Sequence, residues 1–213
     1  MAKITIFGGT GYAGSNIAKE AAARGHEVTV IARQSPAVPL GGVHYRSGSV
    51  QDDKLVAEVV ENSDVIISAL SPRGNMFGQV RPALAQLAEA AAGKARIGVV
   101  GGAGSLLTSE GGPRLVDTPA FTDEYKPEAL EMAEVLNDLH ASNEALDWFF
   151  VSPAGSFGGF NPGERRGKYR VGGDVILVDD AGVSDISGED FGLAIVDEIE
   201  QPKHRRARFT VAY

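Results

Sequence analysis

The chain has 213 residues, a net charge of −8 and no cysteine. Disulfides and thiolate metal sites are therefore impossible, and the excess of acid argues against a nucleic-acid backbone as the main partner. Hydrophobic residues make up 43% and charged residues 23%, a balance that lets one domain, 1–213, bury its core without staples.

The opening MAKITIFGG runs straight into apolar sequence with no basic leader, and no apolar run is long enough to span a bilayer. The expected setting is the cytoplasm, with no membrane partner and a monomer or homodimer as the assembly. Ile4–Phe7 reads as a buried strand ending in glycines. Tyr12–Arg24 is alanine-rich and helix-favouring, and Gly25 stops it. Glu27–Ala32 is a second strand, completing one βαβ unit. Pro36–Gly42 is a loop, and His44–Arg46 belongs to a third strand. Asp52 caps a helix through Asn62, and Asp64–Leu70 is a fourth, strongly apolar strand.

Ser71–Gly78 is a polar loop. Val80, Leu84, Leu87 and Ala91 then mark the buried face of a helix that Gly93 ends. Arg96–Val100 is a fifth strand, and Gly111–Lys126 is irregular. Glu128–Asn143 is a long helix with Met132, Val135, Leu136 and Leu139 inward, and Asp147–Val151 is a sixth strand. Ala154–Lys168 is a loop rich in Gly and Phe, and Asp174–Val178 is expected as a strand outside the crossover pattern. Ser187–Asp190 fits a capping box before a helix carrying Phe191, Ile195 and Ile199. The basic cluster Lys203–Arg206 with Arg208 reads as a solvated turn before a terminal strand, Arg208–Ala212. Strands alternating with helices imply an α/β fold, a Rossmann-type doubly wound, mostly parallel sheet with helices on both faces.

Between the first strand and first helix stands Gly8-Gly9-Thr10-Gly11-Tyr12-Ala13-Gly14. It satisfies GxGxxG from Gly9 and GxxGxxG from Gly8. Glycine permits the tight turn, close approach of backbone to a pyrophosphate, and close helix–strand packing. The helix that follows offers free N–H groups and a positive dipole end. About twenty residues on, NAD sites commonly place an acid for the ribose 2′-hydroxyl. Here Ala32-Arg33-Gln34 stands instead, and an arginine fork suits a 2′-phosphate, so NADPH is expected over NADH. The Thr10 hydroxyl is a further candidate contact to that phosphate.

The opening FGGTGYAGSNIAKEAAARGHEVTVIAR resembles the NAD(P)H-binding, NmrA-like branch of the atypical short-chain dehydrogenases. Later segments, among them VVGGAGSLL, RLVDTPAF, LDWFFVSPA, GERRGKYR and SDISGEDFGLAIVDEIE, resemble the bacterial NADH-flavin-reductase-like group within it. The resemblance runs from Lys3 to Tyr213. It implies that Gly8, Gly11 and Gly14 frame the pyrophosphate, with Tyr12 and Ala13 in the same loop, and that Arg33 takes the 2′-phosphate. It further implies Ser49 and Val50 near the adenine, and Ser68, Ala69 and Leu70 along the cofactor. Gly101, Gly102 and Ala103 fall near the nicotinamide ribose, and Ser152, Pro153 and Ala154 against the carboxamide. Ser105 lies near the position where relatives place a catalytic serine.

Most short-chain dehydrogenases use a Tyr-x-x-x-Lys pair as acid and base. None of the five tyrosines here has lysine four residues on. Hydride transfer to a flavin, quinone or similar conjugated acceptor does not need that pair, because the proton can come from water. Phe157, Phe160 and Tyr125 are candidates to wall such an acceptor, and Ser105 and Tyr125 are the candidate hydrogen-bond or proton donors. His26, His44, His140 and His204 are scattered, so no metal is expected. The competing reading is a non-catalytic, dinucleotide-sensing regulatory protein of the NmrA-like type, since fold alone does not fix function.

Overall fold

A computed structural model describes residues 1–213. The strands are β1 (Lys3–Phe7), β2 (Glu27–Ala32), β3 (Val43–Ser47), β4 (Val65–Ser68), β5 (Arg96–Val100), β6 (Trp148–Ser152), β7 (Arg170–Gly172) and β8 (Ala207–Ala212). They form one eight-stranded sheet in the order β3-β2-β1-β4-β5-β6-β8-β7. All neighbours are parallel except β7 and β8. The helices are α1 (Tyr12–Ala23), α2 (Asp53–Asn62), α3 (Val80–Ala91), α4 (Lys126–His140) and α5 (Gly188–Glu200). The doubly wound fold expected from the alternation of elements is the fold observed.

The central strands are apolar on both sides because both faces are covered. Ile4, Ile6, Val28, Val30, Ile67, Phe149 and Val151 pack against α1 and α5. Phe7, Ile31, Ile66, Ile97, Val99, Trp148 and Phe150 pack against α2, α3 and α4. The alternation of Phe149 and Phe150 between the two faces is the period-2 consequence of the pleat. The chain leaves β1 towards one face through α1 and β4 towards the other through α3. A crevice therefore opens between the carboxyl ends of β1 and β4, the place where ligands bind in such sheets.

Helices α1 and α5 approach closely through two glycines spaced one turn apart. A Cβ on Gly188 would lie 2.4 Å from the Asn16 amide nitrogen, and one on Gly192 would lie 2.7 Å from the Asn16 carbonyl oxygen. Helix α2 begins as expected, with the Asp52 carboxylate accepting from the amides of Lys54 and Leu55.

Several expectations need correction. The fourth strand is shorter than Asp64–Leu70. The Asp64 carboxylate turns to the Lys3 amide, and Ala69 makes the last bond to Phe7. Helix α4 starts at Lys126 rather than Glu128, with Pro127 in its first turn, where a missing N–H costs nothing. The segment Asp174–Val178 is not a strand of the sheet. Its Asp174 carbonyl and Ile176 amide pair with Leu107 in the loop after β5, and the edge strand is Arg170–Gly172 against Thr210–Ala212.

The capping box is only half formed. Ser187 Oγ accepts from the Asp190 amide, but the Ser187 amide donates to the Tyr213 hydroxyl. Aspartate is one methylene shorter than glutamate, and the Asp190 carboxylate instead accepts from the amides of Arg166 and Gly167 and from Tyr213.

The basic cluster is stitched into the fold rather than merely solvated. His204 Nδ1 lies 2.7 Å from Glu198. Arg206, the one non-glycine residue at positive φ (51°), donates to the carbonyls of Ser142, Asn143 and Leu146 just beyond α4. Arg208 has a side chain only 7% exposed.

Candidate functional site

The turn from β1 into α1 is built from glycines for two separable reasons. Gly8 sits at φ 76°, and its Cβ would lie 2.6 Å from the Ala69 carbonyl oxygen. Gly14 has ordinary backbone angles, but its Cβ would lie 2.4 Å from the Gly8 carbonyl oxygen. Both are demanded by the protein's own packing. Gly11 is different: φ is −77°, and the single contact a Cβ would meet is the Gly8 oxygen at 3.3 Å. A side chain there would press on that one oxygen alone, so the protein's own packing demands glycine less than at Gly8 or Gly14, and its absence leaves the exposed face of the turn open to a close-approaching group.

That face carries unpaired donors. Gly11 N–H bonds Gly8, but no protein oxygen accepts from the amides of Tyr12, Ala13 or Gly14. Helix α1 has no side-chain cap and no acidic residue in its first turn. The starts of α2, α3 and α5 are each met by a carboxylate or a hydroxyl. Asp52 caps α2, and Ser187 with Asp190 caps α5. Glu131, from α4, accepts from the amides of Gly78, Val80 and Arg81 at the start of α3. Helix α4 has Glu128 in its first turn. Helix α1 thus presents three N–H groups and an uncompensated positive dipole end, a donor set that fits the pyrophosphate of a dinucleotide.

The remaining expected cofactor residues lie along the carboxyl edge of the sheet, with unequal access. Thr10, Gly11 and Arg33 are exposed; Gly8, Tyr12, Ala13, Ser49, Ala69, Leu70, Gly101, Gly102 and Ala103 are half-buried. Gly14, Val50, Ser68, Ser152, Pro153 and Ala154 are buried, so their side chains have little surface to offer a ligand, and Gly14 contributes through its backbone amide alone. The hydroxyls of Ser68 and Ser152 are buried without a hydrogen-bond partner at the ends of β4 and β6.

Arg33 has no carboxylate partner; its Nη1 donates to Asn75 Oδ1 at 2.6 Å. Asn75 belongs to a 3₁₀ turn, Gly74–Met76, in the β4–α3 connection. Nothing in the local sequence marks Asn75 or Glu131 for these contacts, because each reaches across tens of residues to a different strand or helix.

The two candidate donors have different surroundings. Ser105 is buried in a 3₁₀ turn after β5, and its Oγ accepts from Arg208 at 3.1 Å. Because arginine only donates, the Ser105 hydroxyl hydrogen is left for another acceptor. Arg208 is itself anchored by Asp174. Tyr125 is 48% exposed just before α4, with the Arg73 guanidinium 5.8 Å from its ring centre. Lys126 is turned away to Asp123.

The other four tyrosine hydroxyls are all engaged. Tyr12 donates to the Pro162 carbonyl, and Tyr45 accepts from the Leu40 amide. Tyr169 bonds Asp197, and Tyr213 bonds Asp190. Burial and the adjacent Asp197 carboxylate push the Tyr169 phenol well above its ordinary range.

Of the aromatic candidates, Phe157 is packed between Tyr12 (5.3 Å) and Phe191 (4.4 Å) and works as part of the wall behind α1. Phe160 is 78% exposed on the same loop. No three His, Asp or Glu side chains converge as metal ligands, and no helix is long and apolar enough to cross a membrane.

Comparison with known proteins agrees with this geometry. A profile of an NAD(P)H-binding family matches residues 8–202. The uncharacterized protein YwnB of Bacillus subtilis is 39% identical, over 98% of this chain and 97% of its own. A crystal structure of a candidate NADH-flavin reductase from Streptococcus pneumoniae is 33% identical, covering 100% of this chain and 99% of that one, with a TM-score of 0.88. A candidate epimerase from Bacteroides thetaiotaomicron is 35% identical, covering 99% of this chain and 96% of that one, with the same TM-score of 0.88. With its family profile spanning most of the chain, this protein belongs to the NAD(P)H-binding family.

Proposed function

We propose that this protein is an NADPH-dependent oxidoreductase that passes a hydride to a flavin, quinone or similar conjugated acceptor. The observation that carries the reaction class is the state of the tyrosines: none has lysine four residues on, and four of the five hydroxyls are committed to structural bonds. This favours a reaction that needs no protein acid–base pair, and it weighs against the epimerase named for the Bacteroides neighbour. When bound, the reduced nicotinamide supplies the hydride; the proton that balances the product comes from water. The chain's own part is positioning. The α1 amides and Gly11 hold the pyrophosphate, and the Arg33 guanidinium reads the 2′-phosphate. Ser105, oriented by Arg208, offers a hydrogen-bond donor near the acceptor.

The test is NADPH oxidation followed with a panel of flavins and quinones. At least one acceptor is expected to stimulate turnover. Tight NADPH binding with no turnover across the panel would refute the reductase and leave the regulatory, dinucleotide-sensing reading. Arg33→Asp should weaken NADPH about 100-fold, because it removes charge-assisted bonds and adds repulsion, while NADH changes little. An equal loss for both would show that Arg33 does not read the phosphate.

A further inference from the structure

The sheet order places β2 and β4 on either side of β1. Strands lie about 4.8 Å apart, so the carboxyl ends of β2 and β4 are roughly 10 Å from one another, with the start of the glycine turn between them. Arg33 follows β2, Asn75 follows β4, and their side chains meet at 2.6 Å. The pair therefore bridges the crevice above the end of β1. A second bridge runs alongside: Gln51, between β3 and α2, donates to Gln79, just before α3, at 3.2 Å.

Asn75 is presented from a braced segment. On one side, Ser71 and Arg73 bond the Glu128 carboxylate; on the other, Glu131 holds the Gly78 amide. The chemistry of the partner matters as much as its position. Most arginines of this chain face carboxylates, which cancel their charge. Arg33 alone is held by a neutral side-chain amide. An amide oxygen fixes the orientation of a guanidinium and leaves its full positive charge for another anion. It also occupies only one of five N–H donors, so the rest of the fork stays free.

We propose that Asn75 is a specificity-determining positioning residue: it holds the Arg33 guanidinium over the adenosine side of the crevice, oriented for the 2′-phosphate of NADPH. The proposal rests on the reading of Arg33 given above and adds a residue through which that arginine acts. It explains why asparagine rather than aspartate suits this position. A carboxylate at residue 75 would pair with Arg33 and repel the phosphate.

The experiment is calorimetric titration of NADP⁺ and NAD⁺ into the full chain and into the variants Asn75→Ala, Asn75→Asp and Arg33→Gln. Asn75→Ala loses one hydrogen bond's worth of orientation, so NADP⁺ affinity should fall about 3- to 10-fold with NAD⁺ unchanged. Asn75→Asp should reduce NADP⁺ affinity further, again sparing NAD⁺. A generally misplaced loop would weaken both ligands together, and that result overturns the proposal. If Arg33→Gln removes the NADP⁺ preference while both Asn75 variants keep it, the reading of Arg33 stands and the role of Asn75 falls. If Arg33→Gln leaves the preference intact, or the unaltered protein has none, both fall together.

Discussion

At the amino ends of the strands, Arg96 is buried against Glu198, with the Phe149 ring 4.6 Å from its guanidinium carbon. Glu198 also accepts from the amides of Lys203 and His204 and from the His204 ring. Nearby, Arg24 spans Glu20, Asp197 and Glu200, and His26 joins Glu200. At the carboxyl ends, the start of α1 has three amides without acceptors, and Arg33 has no counter-charge. One end of the sheet satisfies its charges internally; the other keeps donors and positive charge in reserve. The difference separates scaffold from site, because accessible donors and charges left unpaired in a folded chain are the ones available to a ligand.

Three measurements can break or sharpen this contrast. The largest effect is expected from Gly11→Val, which should abolish the NADPH fluorescence response while lowering the thermal midpoint only slightly, because its Cβ would press on a single oxygen at 3.3 Å at a helix N-cap. Gly14→Ala is the control: its Cβ would lie 2.4 Å from a carbonyl oxygen, so it should lower the midpoint as well. If Gly11→Val unfolds the chain, or binds NADPH normally, the distinction between a packing glycine and a ligand glycine is wrong.

Arg96→Met should do the reverse. Breaking a buried pair typically costs about 3–5 kcal/mol, and the surviving His204 contact puts this case near about 3 kcal/mol in urea unfolding. Dinucleotide affinity of the folded fraction should not change; a parallel loss of affinity would mean that the two ends are coupled.

The smallest effect concerns pH. Burial acts to raise the Asp190 pKa, but the Arg166 and Gly167 amides and the Tyr213 and Ser187 hydroxyls outweigh it, so the carboxyl titrates below its ordinary range. A depressed folded value means the stabilisation is complete above the unfolded value of about 3.9 and is lost as pH falls through the folded one. Asp190→Asn should therefore be less stable at neutral pH, with the gap closing below about pH 4. A gap that stays constant with pH would assign the loss to packing instead.

Much of this architecture was readable because it is local. The Asp52 cap, the α1 stop at Gly25 and the apolar runs of β1, β2 and β5 each depend on residues within a few positions of one another. The glycine turn was legible for the same reason. What escaped was non-local. DVILV has the composition of a strand, yet the edge of β8 is taken by Arg170–Gly172, and Asp174 and Ile176 bond Leu107 some seventy residues earlier. The basic run at Lys203–Arg206 looked solvated because its acceptors, Glu198 and the carbonyls beyond α4, are brought to it only by folding. Asn75 beside Arg33 belongs to the same class: 42 residues separate the pair.

The Tyr12 hydroxyl has a consequence for detection. Tyr12 opens α1 within the glycine turn, yet its ring rests on Phe157 and its hydroxyl donates to the Pro162 carbonyl. The loop between β6 and β7 is thus moored to the element proposed to hold the pyrophosphate, so it should open less often when that element is occupied. Amide deuterium uptake across residues 155–163 should slow when NADPH is added, making this loop an isotopic reporter of occupancy several residues away from any phosphate contact.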